Sequence, residues 1–270
     1  MSFLFRFAMR NGTQAVPYNN FTNYAVSICK REQIILEKPG IDAYNMGNLV
    51  WEMFPMKKRA LIFGDSYSTF ENHIPEGYAV YYSAQESPNT DVRKVEQTWW
   101  HRVMAQAGLE LVLNNSWSGS TICYTGYNDV DCSRSSSFIY RLNCLIEQDF
   151  FLENQVDTIL VFGGTNDSWA GVEKGKLQYG SWTKADLHKV LPAVSFLMHR
   201  LQTAAPQANI YWMVNTGLNS KIRKGMLEAC DHYKIQPICF RRINKTSGHP
   251  TIKGMKDIKN QVITSVEETK

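Results

Sequence analysis

The sequence predicts an α/β fold, a three-layer α/β/α sandwich around a five-stranded parallel sheet, and three observations carry that expectation. From Arg59 onward, short apolar runs alternate with longer stretches of helical pattern, the arrangement expected of strands joined by helices that cover both faces of a sheet. In one of those stretches Leu187, Val190, Leu191, Val194, Met198 and Leu201 recur at helical spacing, which marks one apolar face of a helix. The chain has 270 residues and 44% apolar content, enough for one α/β domain with a sizeable core.

The strands are placed at Ala60 to Phe63, Leu109 to Asn114, Thr158 to Phe162, Ile210 to Val214 and, more weakly, Gln236 to Cys239. Helices are expected near Val95 to Ala107, Ser137 to Gln148, Lys184 to Ala204, Ser220 to Tyr233 and Thr251 to Val266. Pro192 lies inside the third of these, where it should kink the helix or mark its first turns. Right-handed crossovers between five such strands give a flavodoxin-like sheet of order 2-1-3-4-5. Chemistry in such sheets sits outside the carboxyl ends of the strands, so the loops after Phe63, Asn114, Phe162 and Val214 are where functional residues belong.

Residues 1–55 show no sustained period and mix Asn, Pro, Gly and aromatic residues, whereas Met56-Lys57-Lys58-Arg59 leads directly into the first strand. Two segments are therefore expected: an N-terminal arm or extension over 1–55, and the α/β domain over 56–270. The net charge of +4 comes without a long basic block. The basic residues between Arg241 and Lys259 read as a solvated face, and nucleic acid is not an expected partner. No run of 18 apolar residues occurs, and the opening stretch is broken by Arg6 and lacks a small-residue cleavage site, so a cytoplasmic protein without a membrane span is expected. The 6 cysteines are scattered without C-x-x-C pairs, which points to free thiols; a Cys123–Cys132 bridge is the alternative for an exported protein.

The loops after the strands carry distinctive residues. Gly64-Asp65-Ser66 follows the first, Ser116-Trp117-Ser118-Gly119 the second, and Gly163-Gly164-Thr165-Asn166-Asp167 the third; Gly248-His249-Pro250 stands near the C-terminus. Over about Lys57 to the C-terminus, the chain resembles the SGNH (GDSL) hydrolase family, in which a G-D-S serine, a loop glycine, a G-x-N-D asparagine and a late histidine before a proline occur in this order. A lone G-D-S is a weak signal, and four ordered blocks at strand ends are a strong one.

The resemblance implies a serine esterase or acylhydrolase. Ser66 would be the nucleophile and His249 its general base, because a neutral hydroxyl needs a base within reach. The oxyanion would be met by the Ser66 N–H, the Gly119 N–H and the Asn166 side-chain amide. Gly119 would also leave space for the acyl group. Each residue has a plainer alternative taken singly: Ser66 as a helix cap, Gly119 as a turn, Asn166 with Asp167 as an Asx turn. Together those alternatives leave His249 unexplained. Asp65 and Asp167 are read as holding their loops in shape.

One position departs from the family. An aspartate usually lies three residues before the histidine, and Thr246 occupies that place. Asn244, Thr246 or a backbone carbonyl is left to orient His249, giving a Ser/His dyad with a neutral acceptor and slower chemistry or a less demanding ester. The other histidines, His73, His101, His188, His199 and His232, form no cluster with metal-ligand spacing, so neither metal nor other cofactor is expected.

The long segment Glu71 to Gln97 carries Tyr78, Tyr81 and Tyr82, and more aromatics follow at Trp99, Trp100, Trp117, Tyr124, Tyr127 and Trp169. These either stack on sugar rings, making an acylated carbohydrate the small-molecule ester, or pack and shield the site. A short acyl ester, acetyl included, is the expected substrate. The competing reading is a catalytically weak carbohydrate-binding module on the same fold, motivated by the absent aspartate and the aromatic loops.

Overall fold

The structure is a computed structural model, and it describes residues 57–267. The arm or extension expected over 1–55 lies outside the described residues. Five strands, β1 (Arg59–Gly64), β2 (Glu110–Ser116), β3 (Thr158–Phe162), β4 (Asn209–Val214) and β5 (Gln236–Cys239), form one sheet of order β2-β1-β3-β4-β5. Every pairing is parallel. The α/β class, the strand number and the order are those the sequence predicts.

Seven helices accompany the sheet: α1 (Trp99–Ala107), α2 (Phe138–Glu147), α3 (Phe150–Glu153), α4 (Thr165–Trp169), α5 (Val190–Ala204), α6 (Ser220–Tyr233) and α7 (Ile252–Glu267) among the described residues. Strand side chains point alternately to the two faces, and the helices divide accordingly. Ala60 and Ile62 of β1, Leu160 and Phe162 of β3, and Tyr211 and Met213 of β4 pack with Trp99, Trp100 and Val103 of α1 and Met255, Ile258 and Val262 of α7. Their neighbours Leu61, Phe63, Ile159, Val161, Trp212 and Val214 pack on the opposite face with α2, α5 and α6. Each such buried Val, Leu, Ile, Phe or Met side chain stabilises the fold by about 1.5–3 kcal/mol.

Several boundaries differ from expectation for local reasons. The helix expected from Val95 is a 3-10 turn at Val95–Gln97 followed by α1, which Thr98 caps by accepting from the His101 N–H at 3.3 Å. The helix expected from Lys184 is likewise a 3-10 turn at Asp186–His188 followed by α5. Pro192 is the third residue of α5, a first-turn position whose N–H would have no partner in the helix. Strand β2 continues to Ser116, and α3 and α4 were not expected. A two-residue antiparallel hairpin, β6 (Lys245–Thr246) and β7 (His249–Pro250), precedes α7 and was also not expected.

Cys123 and Cys132 are not bridged; both are free, with their thiols facing the carbonyls of Thr125 and Val130. No helix among the described residues is long and apolar enough to cross a membrane.

Candidate active site

Strand β1 ends at Gly64, and the chain turns at once into a 3-10 turn over Ser66–Ser68. Asp65 caps that turn, its Oδ1 accepting from the Tyr67 N–H at 3.0 Å. A side chain at position 64 would overlap Ser116 and Ser68, so the closeness of β1, β2 and the turn requires glycine there. The turn presents the Ser66 hydroxyl at the carboxyl edge of the sheet.

His249 reaches the same place from the hairpin. Its Nε2 lies 2.8 Å from Ser66 Oγ, although the two residues are 183 positions apart. On the other side of the ring, Nδ1 lies 3.2 Å from the Ser247 carbonyl. A carbonyl oxygen can only accept, so this contact places the proton on Nδ1 and leaves Nε2 free to take the serine proton. Of the groups left open by the sequence, the backbone carbonyl is the one in contact. The Asn244 side chain instead accepts from the Thr251 hydroxyl at 2.5 Å, and Thr246, opposite His249 in the hairpin register, is exposed. Burial holds His249 below its ordinary value of 6.5, and the Lys245 charge acts in the same direction against the Ser247 carbonyl.

The hairpin is anchored on all sides. The Tyr67 hydroxyl donates to the Gly248 carbonyl at 2.5 Å and the Tyr82 hydroxyl to the Pro250 carbonyl at 3.0 Å. Lys245 Nζ donates to Asn215 Oδ1 at 3.2 Å and to Thr216 Oγ1 at 3.0 Å, just beyond the end of β4. The Tyr81 ring stacks on the His249 ring with centroids 3.6 Å apart and planes 11° apart. The Trp169 ring meets the same imidazole edge-on at 5.9 Å.

Gly119 and Asn166 stand in the loops after β2 and β3. Gly119 lies in a turn closed by the Ser120 N–H on the Trp117 carbonyl at 3.2 Å, and its φ is +79°. Its hypothetical Cβ would meet nothing within 4 Å. Within the protein itself, the glycine therefore answers to its left-handed backbone conformation. Asn166, in the first turn of α4, donates from Nδ2 to the Ser120 carbonyl at 2.9 Å and accepts at Oδ1 from the Tyr127 hydroxyl at 2.9 Å. One Nδ2 hydrogen stays available to a ligand. The Asp167 carboxylate accepts from the N–H groups of Ile122 and Cys123, at 2.9 Å and 3.2 Å. The loops after β2 and β3 are thus fastened to each other.

Beneath these loops lies the wholly buried Arg141. Its guanidinium donates to the Asn115 carbonyl, to Asn115 Oδ1 at 2.7 Å, to the Gly64 carbonyl and Ser120 Oγ, both at 3.2 Å, and to the Ser136 carbonyl at 2.9 Å. It also sits 4.4 Å from the centre of the Phe138 ring. Burial lowers its pKa to about 9 and pushes the buried Asp65 carboxyl up to about 7. Sequence reasoning missed Arg141, although a signal was present: Phe138, Arg141, Leu142 and Leu145 share one helical stripe, and a lone cation there needs buried partners. It also missed the roles of Ser247, Lys245 and Tyr81 around the histidine.

The profile of the GDSL-like Lipase/Acylhydrolase family matches residues 58–266. The chain belongs to this family. It is accordingly a carboxylic ester hydrolase by family membership. A crystal structure from Bacteroides uniformis, described as that of a GDSL-like lipase, is 44% identical, with 80% of this chain and 98% of that one covered and a TM-score of 0.74. A second, from Bacteroides ovatus and described in the same way, is 39% identical over 79% of this chain and 99% of that one, also with a TM-score of 0.74. An acetyl xylan esterase from Butyrivibrio proteoclasticus shares the fold at 14% identity, with 80% and 65% of the two chains covered and a TM-score of 0.52. No protein with a curated description matches the sequence significantly. Among the described residues, no group of three or more His, Cys, Asp or Glu is arranged to hold a metal ion.

Proposed function

We propose that this GDSL-like acylhydrolase is a serine esterase for short acyl esters, acting through an acyl-Ser66 intermediate. The observation that carries the reading is the 2.8 Å contact between Ser66 Oγ and His249 Nε2. As Oγ attacks the ester carbonyl carbon, its proton passes to Nε2 and the carbonyl electrons move to oxygen. The Ser66 and Gly119 N–H groups and the Asn166 amide are assigned to the resulting oxyanion. Collapse breaks the bond to the alcohol, which leaves with the proton from His249. Water then attacks the acyl-enzyme, giving its proton to His249, and the second collapse releases the carboxylic acid and restores Ser66.

The aromatic rim supports an acylated carbohydrate as the small-molecule substrate. Trp169 is 47% exposed and borders His249, and Tyr127 is 39% exposed with its hydroxyl on Asn166. Such rings offer flat apolar faces to a sugar next to a site that handles a small acyl group. Turnover of p-nitrophenyl esters of rising chain length, beside acetylated xylo-oligosaccharides, tests the reading. The expected result is highest kcat/KM for acetyl and measurable release of acetate from the sugar. Preference for long acyl chains would contradict the substrate class, and sugar binding without any ester turnover would favour a binding module.

A further inference from the structure

The carboxylate that normally orients and charges such a histidine is absent at position 246, and the Ser247 carbonyl that meets Nδ1 is neutral and 3.2 Å away. Apart from its contact with Ser66 Oγ itself, this is the one polar contact at the ring nitrogens, and it resists tilting of the ring poorly. It also offers the imidazolium less than a carboxylate would. Something else must hold the ring on Ser66 Oγ.

We propose that Tyr81 is a positioning residue for His249, its ring face holding the imidazole in plane and stabilising the imidazolium that forms when Ser66 gives up its proton. The two rings are 3.6 Å apart at 11°, a stacked pair, and the negative face of a phenol ring attracts a cation placed over it. Tyr81 is itself fixed to the nucleophile's turn. Its N–H donates to Thr69 Oγ1 at 2.9 Å, and the Thr69 hydroxyl donates to the Ser66 carbonyl at 3.2 Å. The Tyr81 hydroxyl donates to the Asn89 carbonyl at 3.3 Å, and the Tyr82 ring meets the Tyr81 ring edge-on at 4.8 Å.

The groups facing His249 leave this role to Tyr81. Lys245, on the same hairpin, repels the imidazolium. The 3-10 turn contributes Ser66, a tilted Tyr67 ring 5.4 Å away and, behind it, the buried Asp65. Helix α4 contributes the uncharged Trp169 ring, edge-on. Among these described neighbours, Tyr81 presents the parallel π face.

The test is Tyr81→Leu, which keeps an apolar side chain over the imidazole and removes the π face, beside Tyr81→Phe, which keeps the face and loses the hydroxyl. Steady-state kinetics on p-nitrophenyl acetate across pH, with NMR titration of the His249 ring, reads both. In Tyr81→Leu, kcat on the alkaline plateau should fall about 3- to 30-fold, KM should stay within about twofold, and the His249 titration should move to lower pH. Tyr81→Phe should stay within about twofold of the parent. Should Tyr81→Leu fold poorly, Tyr81→Phe carrying a fluorinated ring keeps the shape and removes the negative face, and kcat should fall as fluorines are added. Unchanged kcat and titration in these variants, or equal damage from Tyr81→Phe and Tyr81→Leu, would overturn the role. The inference rests on His249 being the base. Parental turnover in His249→Ala would sink that reading, whereas an inactive His249→Ala beside an unaffected Tyr81→Leu would sink the Tyr81 role alone.

Discussion

The Tyr127 hydroxyl donates to Asn166 Oδ1 at 2.9 Å, while Asn166 Nδ2 donates to the Ser120 carbonyl at the same distance. The amide is therefore fixed in orientation, with its nitrogen toward the loop that carries Gly119. If Asn166 meets the oxyanion, Asn166→Ala should lower kcat about 10²- to 10³-fold with KM little changed. Tyr127→Phe, which removes the restraint and keeps the amide, should cost about 2- to 10-fold, since a neutral hydrogen bond contributes about 0.5–1.5 kcal/mol. Steady-state kinetics on a short acyl ester checks both, and parental activity in Asn166→Ala would remove that residue from the mechanism.

Arg141 joins the end of β1 to the loop after β2 from inside the core. Replacing it by Met would fill the space but remove the guanidinium donor from the Asn115 and Ser136 carbonyls and the Asn115 side chain, while the Gly64 carbonyl keeps the Trp117 N–H. A loss of about 2–4 kcal/mol is expected, because each orphaned buried acceptor costs about 1–3 kcal/mol and removal of a buried charge offsets part of it. Urea unfolding monitored by tryptophan fluorescence measures it. A change below about 0.5 kcal/mol would show that water or neighbouring groups replace the guanidinium readily.

If His249 is the base, the pH dependence follows from it. A base must be neutral to take the serine proton, and burial with the Lys245 charge holds this histidine below its ordinary 6.5. The free enzyme's kcat/KM should therefore be on its plateau at neutral pH and fall only as pH drops through a value under 6.5. Lys245→Met removes the repelling charge, so its acid limb should move to higher pH. An acid limb centred above 7 in the parent would contradict this electrostatic picture.

Thr246→Asp probes the place where the family usually has a carboxylate. Because Nδ1 already meets the Ser247 carbonyl, the added carboxylate has to displace an existing contact, and kcat should stay within about threefold of the parent. A rise of tenfold or more would mean that the carbonyl is a poor substitute and that a carboxylate at 246 reaches the ring.

Much of this was legible in the sequence because the determining signals are local. The apolar runs that become β1, β3 and β4 are short and sharply bounded, and helical period exposed the inner face of α5. Residues at strand ends were readable for the same reason: the topology brings Gly64-Asp65-Ser66, Gly119 and Asn166 to one edge of the sheet. What stayed hidden depends mostly on contacts across the fold. The orientation of His249 is different: it falls to a carbonyl two residues away, one of the alternatives the sequence left open, but a backbone carbonyl has no residue-type signature that would single it out. Tyr81 meets His249 across 168 positions of sequence, and nothing in its neighbours Val80 and Tyr82 marks it off. Arg141 left a trace as a charge within an apolar stripe, yet its partners on β1, β2 and two loops were not deducible from that stripe.

Reaction of Ser66 with a fluorophosphonate probe tests the central claim most directly, since the probe reports an activated serine whatever the natural ester. Intact-mass analysis followed by peptide mapping should show a single adduct on Ser66, formed at least about 100-fold more slowly in His249→Ala and not at all in Ser66→Ala. Labelling of Ser66 at the parental rate in His249→Ala, or no labelling of the folded parent, would contradict activation of Ser66 by His249.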